Sequence, residues 1–329
     1  MRAIGVNPWV WTSPVDDAAL ADLIPRIAGF GFDTVELPIE RLGDWDPART
    51  RDLLAEYALT VAGVCAVTSP GRDLVNASPE TVASTVAYLM ACVDQAAAVG
   101  AGCVGGPVYA AVGRTWHMSA AARATCYADL RRALRPVADH AGQRGVSIGV
   151  EPLNRYETSV VNTVEQAVEM IDGLPPSVGL MIDTYHMNIE EADPCAALAL
   201  AGPYLKHVQV SGTNRGAPGS DHFDWPRFLA TLAATGYRGP VCIESFTAGN
   251  EAIATAAAVW RPLAPSQDAL ARDGLSFLRA ALREIGGRQR PAVVTTGEES
   301  QAPGRGPPAR RRPEPGGRHA TPAVVRSTH

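Results

Sequence analysis

The sequence predicts a single-domain (β/α)₈ TIM barrel of the α/β class, because short β-branched runs alternate eight times with longer segments rich in Ala and Leu. Eight such units within about 290 residues fit a closed barrel better than an open sheet. The predicted strands span residues 3–7, 33–37, 60–66, 102–105, 146–151, 178–183, 205–210 and 240–244. The predicted helices lie near 17–29, 47–57, 79–99, 119–143, 163–172, 193–201, 225–235 and 268–285.

The residues that flank the predicted helices support this assignment. Ser78 and Asp224 precede helical segments with an early Pro, a combination typical of helix N-termini. Gly100, Gly145 and Gly236 stand where helices are expected to end, since Gly readily adopts the left-handed conformation that closes a helix.

The chain divides into a barrel domain over residues 1–287 and a tail over residues 288–329. The tail is rich in Pro, Gly and Arg and has too few apolar side chains to build a core, so we predict that it is disordered. It contains eight Arg against three Glu, so the net charge of −5 for the whole chain leaves about −10 on the barrel. An acidic barrel argues against nucleic acid as a partner.

Composition argues against several other classes of protein. We expect no segment long and apolar enough to cross a membrane, and the N-terminus lacks a secretory signal, so we predict a cytoplasmic protein without a membrane partner. The six Cys show no short paired spacing, which argues against a disulfide framework or a zinc–thiolate site. Lys206 is the only Lys in the chain, which disfavours Schiff-base chemistry.

Three carboxylates, Glu151, Asp183 and Glu244, follow apolar runs at the ends of predicted strands five, six and eight. The C-terminal ends of barrel strands meet at one mouth, where catalytic groups lie. A single carboxylate there could equally cap a helix or form a loop salt bridge. Three that converge would repel one another unless a cation lay between them, so they predict a divalent metal site.

Strand seven adds His207 and Gln209, which lie two residues apart and therefore on the same side of the strand. Lys206 points to the opposite side. Either both His207 and Gln209 face the barrel interior or neither does, and an outward or core-packed His is the alternative. The three carboxylates at the same mouth favour the inward orientation.

Four segments of the chain resemble the ketose 3-epimerases, a family of xylose-isomerase-like barrels that includes D-tagatose 3-epimerase and D-psicose (allulose) 3-epimerase. The segments are Glu151-Pro-Leu-Asn-Arg-Tyr-Glu157-Thr, Asp183-Thr-Tyr-His186-Met-Asn-Ile-Glu-Glu, Asn214-Arg215-Gly-Ala-Pro-Gly and Glu244-Ser-Phe. They occur in the family's order and on the corresponding strands, and the resemblance extends over about residues 3–285. It implies an isomerase that acts on a small sugar and assembles as a homo-oligomer, either a dimer or a tetramer.

The resemblance also implies one divalent ion, with Mn²⁺ as the first expectation and Co²⁺ or Mg²⁺ as alternatives. Its ligands would be Glu151, Asp183, a residue of strand seven and Glu244, and the two Glu would also be the catalytic acid/base pair on opposite faces of the substrate. The chemistry is consistent, because a cation stabilises the charge that develops when C3 of a ketose loses its proton, and inversion requires a proton carrier on each face. The sugar hydroxyls would be held by Glu157, His186 and Arg215.

The chain departs from the family at one ligand. Gln209 stands where the family has a metal-binding His, with His207 two residues earlier. Gln can bind a hard cation through its amide oxygen, but it is neutral and a weaker donor than imidazole. The intact register of the Asn214-Arg215 segment favours Gln209 as the fourth ligand, and His207 is the alternative. This departure leaves the identity of the sugar open.

Three further residues are predicted to contact the substrate from the same mouth. Trp11 follows strand one, Trp116 lies beyond strand four and Glu36 ends strand two. Aromatic rings commonly stack on sugars, although a Trp near a barrel end often serves packing alone. The Gly105-Gly106 pair lacks the spacing and the Lys of a phosphate-binding loop, which favours a free sugar over a sugar phosphate.

The predicted function is therefore metal-dependent C3 epimerisation of a free ketose through a cis-enediolate. The same barrel supports two alternatives: an aldose–ketose or hydroxypyruvate-type isomerase, and a lyase that eliminates from a 3-keto-glycoside. A DNA-repair endonuclease of this superfamily needs a cluster of several His, whereas this chain has only seven scattered His. A non-catalytic sugar-binding barrel is disfavoured because both Glu151 and Glu244 are present.

Overall fold

Eight parallel strands close into a barrel in which each strand pairs with the next along the chain and β1 pairs with β8. The structure is a computed structural model and describes residues 2–288. The strands are β1 Ile4–Val6, β2 Thr34–Ile39, β3 Thr60–Ala66, β4 Cys103–Gly106, β5 Ser147–Val150, β6 Val178–Asp183, β7 Leu205–Val210 and β8 Val241–Ile243. The TIM-barrel prediction is confirmed. The predicted tail, apart from its first residue, lies outside the described residues.

The helices surround the barrel and follow the strands in alternation. They are α1 Asp17–Phe30, α2 Pro47–Glu56, α3 Pro79–Val99, α4 Ala120–Arg144, α5 Val164–Ile171, α6 Thr184–Glu190, α7 Pro194–Ala201, α8 Trp225–Ala234, α9 Glu251–Ala256 and α10 Gln267–Arg288. Short 3₁₀ helices span Pro8–Val10 and Gly202–Tyr204. The sequence did not predict α6 and α9, because seven and six residues are too few to display a helical period.

Polar side chains begin several of these helices, as the sequence predicts. Ser78 caps α3 and Asp224 caps α8, and each side chain accepts a hydrogen bond from a backbone N–H of the first turn. Gly100 and Gly145 end α3 and α4 with left-handed backbones. These caps fix where each helix starts and stops, and therefore how the loops leave the mouth of the barrel.

Helix α3 corrects one prediction, because by length and composition it is apolar enough to cross a membrane. It lies against α2, α4 and the neighbouring strands β3 and β4. Its Leu89, Cys92 and Val93 are fully buried. The apolar composition of α3 therefore matches its packing in the barrel wall. A buried core helix can be as long and as apolar as a membrane-spanning helix.

The barrel interior below the mouth is filled by side chains from alternate positions of the strands. Met181 of β6 packs directly over Gly105 of β4, where a Cβ would lie 2.2 Å from the Met181 sulfur. Gly149 of β5 lies against the same side chain, and a Cβ added there would lie 3.1 Å from the Met181 Cβ. Small residues on β4 and β5 thus make room for one large residue on β6, and this packed layer forms the floor below the mouth.

We predict that Gly179→Ala destabilises the barrel. A Cβ at Gly179 would lie 2.1 Å from the carbonyl oxygen of Tyr204 and 2.7 Å from Lys206 Cε, so β6 and the start of β7 would have to move apart. Such overpacking costs about 1–3 kcal/mol, and thermal unfolding would show a melting temperature lower by about 2–4 °C per kcal/mol.

Gly142→Ala in α4 is the matched control. The nearest atoms to a Cβ there belong to Ser177, at 3.8 Å. Because Ala favours helix over Gly by about 0.5–1 kcal/mol, the melting temperature should stay or rise. Equal melting of the two variants would contradict the close approach of β6 to Tyr204.

Candidate active site

The three carboxylates predicted from the sequence converge at the C-terminal mouth of the barrel. Asp183 is the last residue of β6, and the backbone N–H groups of Glu151 and Glu244 donate to Gly106 and Val210 across the neighbouring strands, both at 3.1 Å. These bonds extend the β-ladder by one residue beyond β5 and β8. All three side chains are buried, with relative exposures of 1–6%. The barrel therefore holds three acidic groups rigidly in a low-dielectric region.

Burial and mutual repulsion raise the pKa of two of these carboxyl groups. Burial raises the pKa of Glu244 to about 8, and the charges of Asp183 and Glu36 add to the rise while Arg215 opposes it. Burial likewise raises the pKa of Glu151 well above its usual value, with further contributions from Glu244 and Asp183. Without an added cation, a pKa of about 8 favours the protonated form of Glu244 at neutral pH, and the pKa of Glu151 is shifted in the same direction.

Arg215 places a positive charge between two of the carboxylates. Its Nη1 donates to Asp183 Oδ2 and, at 2.8 Å, to Glu244 Oε2. The guanidinium lies between two aromatic rings, 4.0 Å from the centroid of Tyr185 and 5.1 Å from that of Phe246. A planar cation held between two ring faces has little freedom, so its donors keep a fixed direction toward the mouth.

The loop after β7 accounts for the position of Arg215. The backbone N–H of Gly212 donates to the carbonyl of Gly216 at 2.8 Å, and the side chain of Asn214 accepts from Gly216 N–H at 2.9 Å. These two hydrogen bonds close a tight turn. Arg215 lies in this turn with φ of +65°, a left-handed backbone conformation that is unfavourable for residues other than Gly. Ser245 Oγ donates to the Arg215 carbonyl at 2.5 Å and helps to hold this backbone.

His186 is fixed with its Nε2 toward the carboxylates. The backbone N–H of Asn154 donates to His186 Nδ1 at 3.1 Å, and Arg215 Nη2 lies 3.2 Å from His186 Nε2. That nitrogen lies 3.6 Å from Glu151 Oε1 and 3.7 Å from Asp183 Oδ2. Burial, followed by the charge of Arg215, lowers the His186 pKa, which keeps the ring neutral.

Asn154 is a site residue that the sequence analysis missed. In addition to orienting His186, its side-chain amide donates to Glu157 Oε1 at 2.7 Å. The only signal was its position inside the Glu151–Glu157 segment. Phe246, which lies against Arg215, was missed in the same way, two residues beyond Glu244.

Gln209 and His207 both face the barrel interior, as the alternation along strand seven predicts. Gln209 is fully buried, and its Nε2 donates to Glu36 Oε2 at 2.8 Å and to Glu244 Oε1 at 2.9 Å. Its amide oxygen, Oε1, is buried without a hydrogen-bond partner. His207 Nε2 lies 2.5 Å from Glu36 Oε1, while His207 Nδ1 is also buried without a partner.

A cavity of about 350 Å³ opens above the carboxylates. Its polar wall contains Glu151, Glu157, His186, Arg215 and Glu244. Its other wall is mostly apolar and is built from the segments that follow β1, β3, β4, β5 and β8, with the residues Trp9, Val67, Pro107, Leu153, Phe246 and Ile253 among them. The cavity thus has one reactive face and one apolar face.

Three residues predicted to bind substrate do not line this cavity. Trp11 stacks on Phe30 of α1 and donates to Asp268 of α10 at 2.9 Å, so it packs between two outer helices. Trp116 is half-buried in the loop before α4, where its backbone N–H donates to Ser159 Oγ at 2.9 Å. Glu36 is 1% exposed and lies behind Gln209. Trp9, two residues before Trp11, is the Trp that reaches the cavity.

The donor set at the mouth fits a divalent metal ion. Glu151, Asp183 and His186 each offer a ligand atom within 4.8 Å of the other two. Burial and the neighbouring carboxylates raise the pKa values of Glu151 and Glu244 despite the opposing charge of Arg215. Carboxylate and amide oxygens suit hard divalent cations, and the unpartnered Gln209 oxygen is a buried acceptor in the same region.

Comparison with known proteins agrees with this geometry. A model of the xylose isomerase-like TIM barrel family matches residues 24–281. The ketose 3-epimerase of Arthrobacter globiformis is 31% identical over 285 residues, which cover 86% of this chain and 97% of that protein. The L-ribulose 3-epimerase of Methylomonas sp. strain DH-1 is 32% identical over 281 residues, which cover 84% and 96% of the two chains.

A solved structure gives the same picture in three dimensions. The crystal structure of D-allulose 3-epimerase from Methylomonas sp. in complex with D-allulose superposes with a TM-score of 0.79 at 30% identity, covering 85% of this chain and 97% of that one. The shared barrel and the identity over nearly the whole of these relatives show that this chain belongs to the ketose 3-epimerases of the xylose isomerase-like TIM barrel family and is an isomerase that acts on carbohydrates.

Proposed function

We propose that the protein epimerises C3 of a free ketose by removing a proton from one face of the sugar and returning it to the other. The observation that carries this proposal is the pair Glu151 and Glu244, two buried carboxyl groups with raised pKa values in the wall of one cavity. A general acid or base works best when its pKa lies near the operating pH. The ketose 3-epimerases among the relatives support the same reaction class.

In this proposal Glu151 and Glu244 share the two proton transfers. One carboxylate accepts the C3 proton, and the other, in its acid form, donates a proton to the opposite face. Inversion requires both roles in every turnover, because the proton leaves from one face of the sugar and returns to the other. In the reverse reaction the two residues exchange these roles. The burial that raises their pKa values also keeps bulk water from competing for the proton.

Arg215, His186 and Glu157 would orient the sugar. The guanidinium of Arg215 is a donor that can face sugar oxygens that gain negative charge, and the His186 ring beside it can contact a neighbouring hydroxyl. Glu157, held by Asn154 at 2.7 Å, is an acceptor for a hydroxyl. The apolar wall of the cavity would contact the remainder of the sugar chain. The Gly105-Gly106 pair at the end of β4 lacks the spacing and the Lys of a phosphate-binding loop, which favours a free sugar.

We propose that Glu151, Asp183, Gln209 and Glu244 hold one divalent ion, Mn²⁺ being the first expectation. The bound ion would supply electrostatic stabilisation for the charge that spreads over O2 and O3 when C3 is deprotonated. Gln209 is favoured over His207 because His207 Nε2 is already paired with Glu36. Cytoplasmic localisation and assembly as a dimer or tetramer stay predictions.

Proton exchange in D₂O tests the reaction. We expect the Mn²⁺-loaded protein to convert at least one of D-fructose, D-tagatose and D-psicose into its C3 epimer with deuterium at C3, observed by NMR. Label at C1 or C2 instead would identify an aldose–ketose isomerase. Absence of exchange on every free ketose would favour a 3-keto-glycoside substrate and contradict the proposal.

Replacing either proton carrier should abolish most of the exchange. For Glu151→Gln and Glu244→Gln we expect kcat to fall by about 100- to 10,000-fold, since an amide cannot carry the proton. Glu165→Gln, at an exposed position in the first turn of α5, is the matched control and should keep full activity. Bound metal is measured for each variant, and unchanged turnover in either site variant would refute its assigned role.

Metal binding should release protons. Because Glu244 has a pKa of about 8 without metal, its carboxyl must lose a proton to become a ligand at pH 6–7. Mn²⁺ affinity should therefore rise with pH by up to about tenfold per unit for each proton released, and level off above pH 8. Calorimetry in buffers of different ionisation enthalpy counts the protons, and Glu244→Gln should release fewer. An affinity that does not change with pH would contradict the raised pKa values.

A further inference from the structure

The buried amide of Gln209 has a single favourable orientation. Its Nε2 faces three acceptors: Glu36 Oε2 at 2.8 Å, Glu244 Oε1 at 2.9 Å and Cys65 Sγ at 3.5 Å. Rotating the amide by half a turn would place its oxygen against two carboxylate oxygens, where like partial charges repel. The nitrogen therefore faces these acceptors, and the oxygen is left without a partner.

Glu36 is itself held in place by other buried groups. His207 Nε2 contacts its Oε1 at 2.5 Å, and the Asn7 side-chain amide donates to its Oε2 at 3.0 Å. Asn7 is fully buried, and Asn7 Oδ1 in turn accepts from the backbone N–H of Trp9. Glu36 thus belongs to a chain of fixed hydrogen bonds that links β1, β2 and β7.

From these contacts we infer that Glu36 is a positioning residue that orients Gln209 so that its amide oxygen serves as a metal ligand. This inference rests on the proposed function, since it assumes a metal held at Glu151, Asp183, Gln209 and Glu244. Glu36 does not line the cavity, and its hydrogen bond to the proposed ligand set is the one that it accepts from the Gln209 amide. Hydrogen bonds to groups that hold a ligand typically change metal affinity by about 10- to 100-fold.

Glu244 alone cannot hold the Gln209 amide in this orientation. It also accepts from Gln209 Nε2, but it is a proposed ligand and proton carrier whose contacts change when a metal or a substrate binds. Glu36, paired with His207 away from the cavity, stays in place through these changes. Because the Glu36 carboxylate holds the neutral Gln209 amide in one orientation, a Gln can occupy a position that the resemblance assigns to His.

Two conservative variants separate hydrogen bonding from charge. Glu36→Asp keeps the charge but withdraws the carboxylate by one methylene, so Gln209 should lose its anchor and Mn²⁺ affinity should fall by about 10- to 100-fold. Glu36→Gln loses the charge but keeps an acceptor oxygen, and its N–H₂ can face His207 once the ring proton moves to Nδ1. For Glu36→Gln we expect affinity within about twofold of the unaltered chain.

A double-mutant cycle shows whether Glu36 acts through Gln209. In a Gln209→Ala background, Glu36→Asp should change the Mn²⁺ affinity measured by calorimetry by no more than about twofold. The matched control is Glu40→Asp, because Glu40 accepts from Trp9 and Ser13 and does not contact Gln209. Circular dichroism confirms that each variant is folded. If Glu36→Asp does not fold, Glu36→Met, which removes both acceptor oxygens at a similar length, replaces it, and a loss of about 10- to 100-fold in Glu36→Met with retained affinity in Glu36→Gln supports the inference.

The outcomes separate this inference from the function on which it rests. An equal loss for Glu36→Asp with and without the Gln209 side chain would overturn the positioning role, as would a loss in Glu36→Gln as large as in Glu36→Asp. Failure of the unaltered chain to bind Mn²⁺ at all would overturn the proposed metal site itself. Mn²⁺ binding that is insensitive to every Glu36 variant would overturn only the inference.

Discussion

Burying Glu151, Asp183 and Glu244 at one end of a barrel has a large electrostatic cost, and much of the surrounding structure offsets it. The strands fix the three carboxylates through their backbone ladder, so they cannot separate to relieve their repulsion. Arg215 supplies a compensating charge to Asp183 and Glu244, and its own place depends on a strained turn after β7 and on two aromatic rings. Burial, together with the repulsion between these carboxylates, raises the pKa values of Glu151 and Glu244, which is the property that proton transfer needs.

A second layer of polar groups lies below the mouth, where most barrels carry apolar side chains. Glu36 belongs to this layer, and His207, Asn7 and the nitrogen of Gln209 lower its pKa even though burial alone would raise it. The acceptor oxygen Oε2 of Glu36 keeps the Gln209 amide in one orientation, and the amide also donates to Glu244. Metal binding and proton transfer thus depend on the same small network, so a change in one member alters several functions together.

The sequence predicted the barrel and the converging carboxylates because both follow from local pattern: strand and helix alternation, and an acidic residue at the end of a strand. It predicted Trp11, Trp116 and Glu36 as substrate contacts from their place beside a strand end, and the structure does not bring them to the cavity. Position along a strand does not tell which way a loop residue turns. Trp11 turns toward Phe30 of the next helix, α1, and toward Asp268 of α10, which is distant in sequence. Helix α9, whose Ile253 lines the cavity, was too short to recognise.

The most direct test of this account is a crystal structure of the protein soaked with Mn²⁺. The account predicts one ion bound by carboxylate oxygens of Glu151, Asp183 and Glu244 and by Gln209 Oε1, with Glu36 still accepting from Gln209 Nε2. An ion bound by His207 Nδ1 or Nε2 in place of Gln209 would contradict the assignment of the fourth ligand. Carboxylates that stay paired with Arg215 alone at saturating Mn²⁺ would contradict the metal site as a whole.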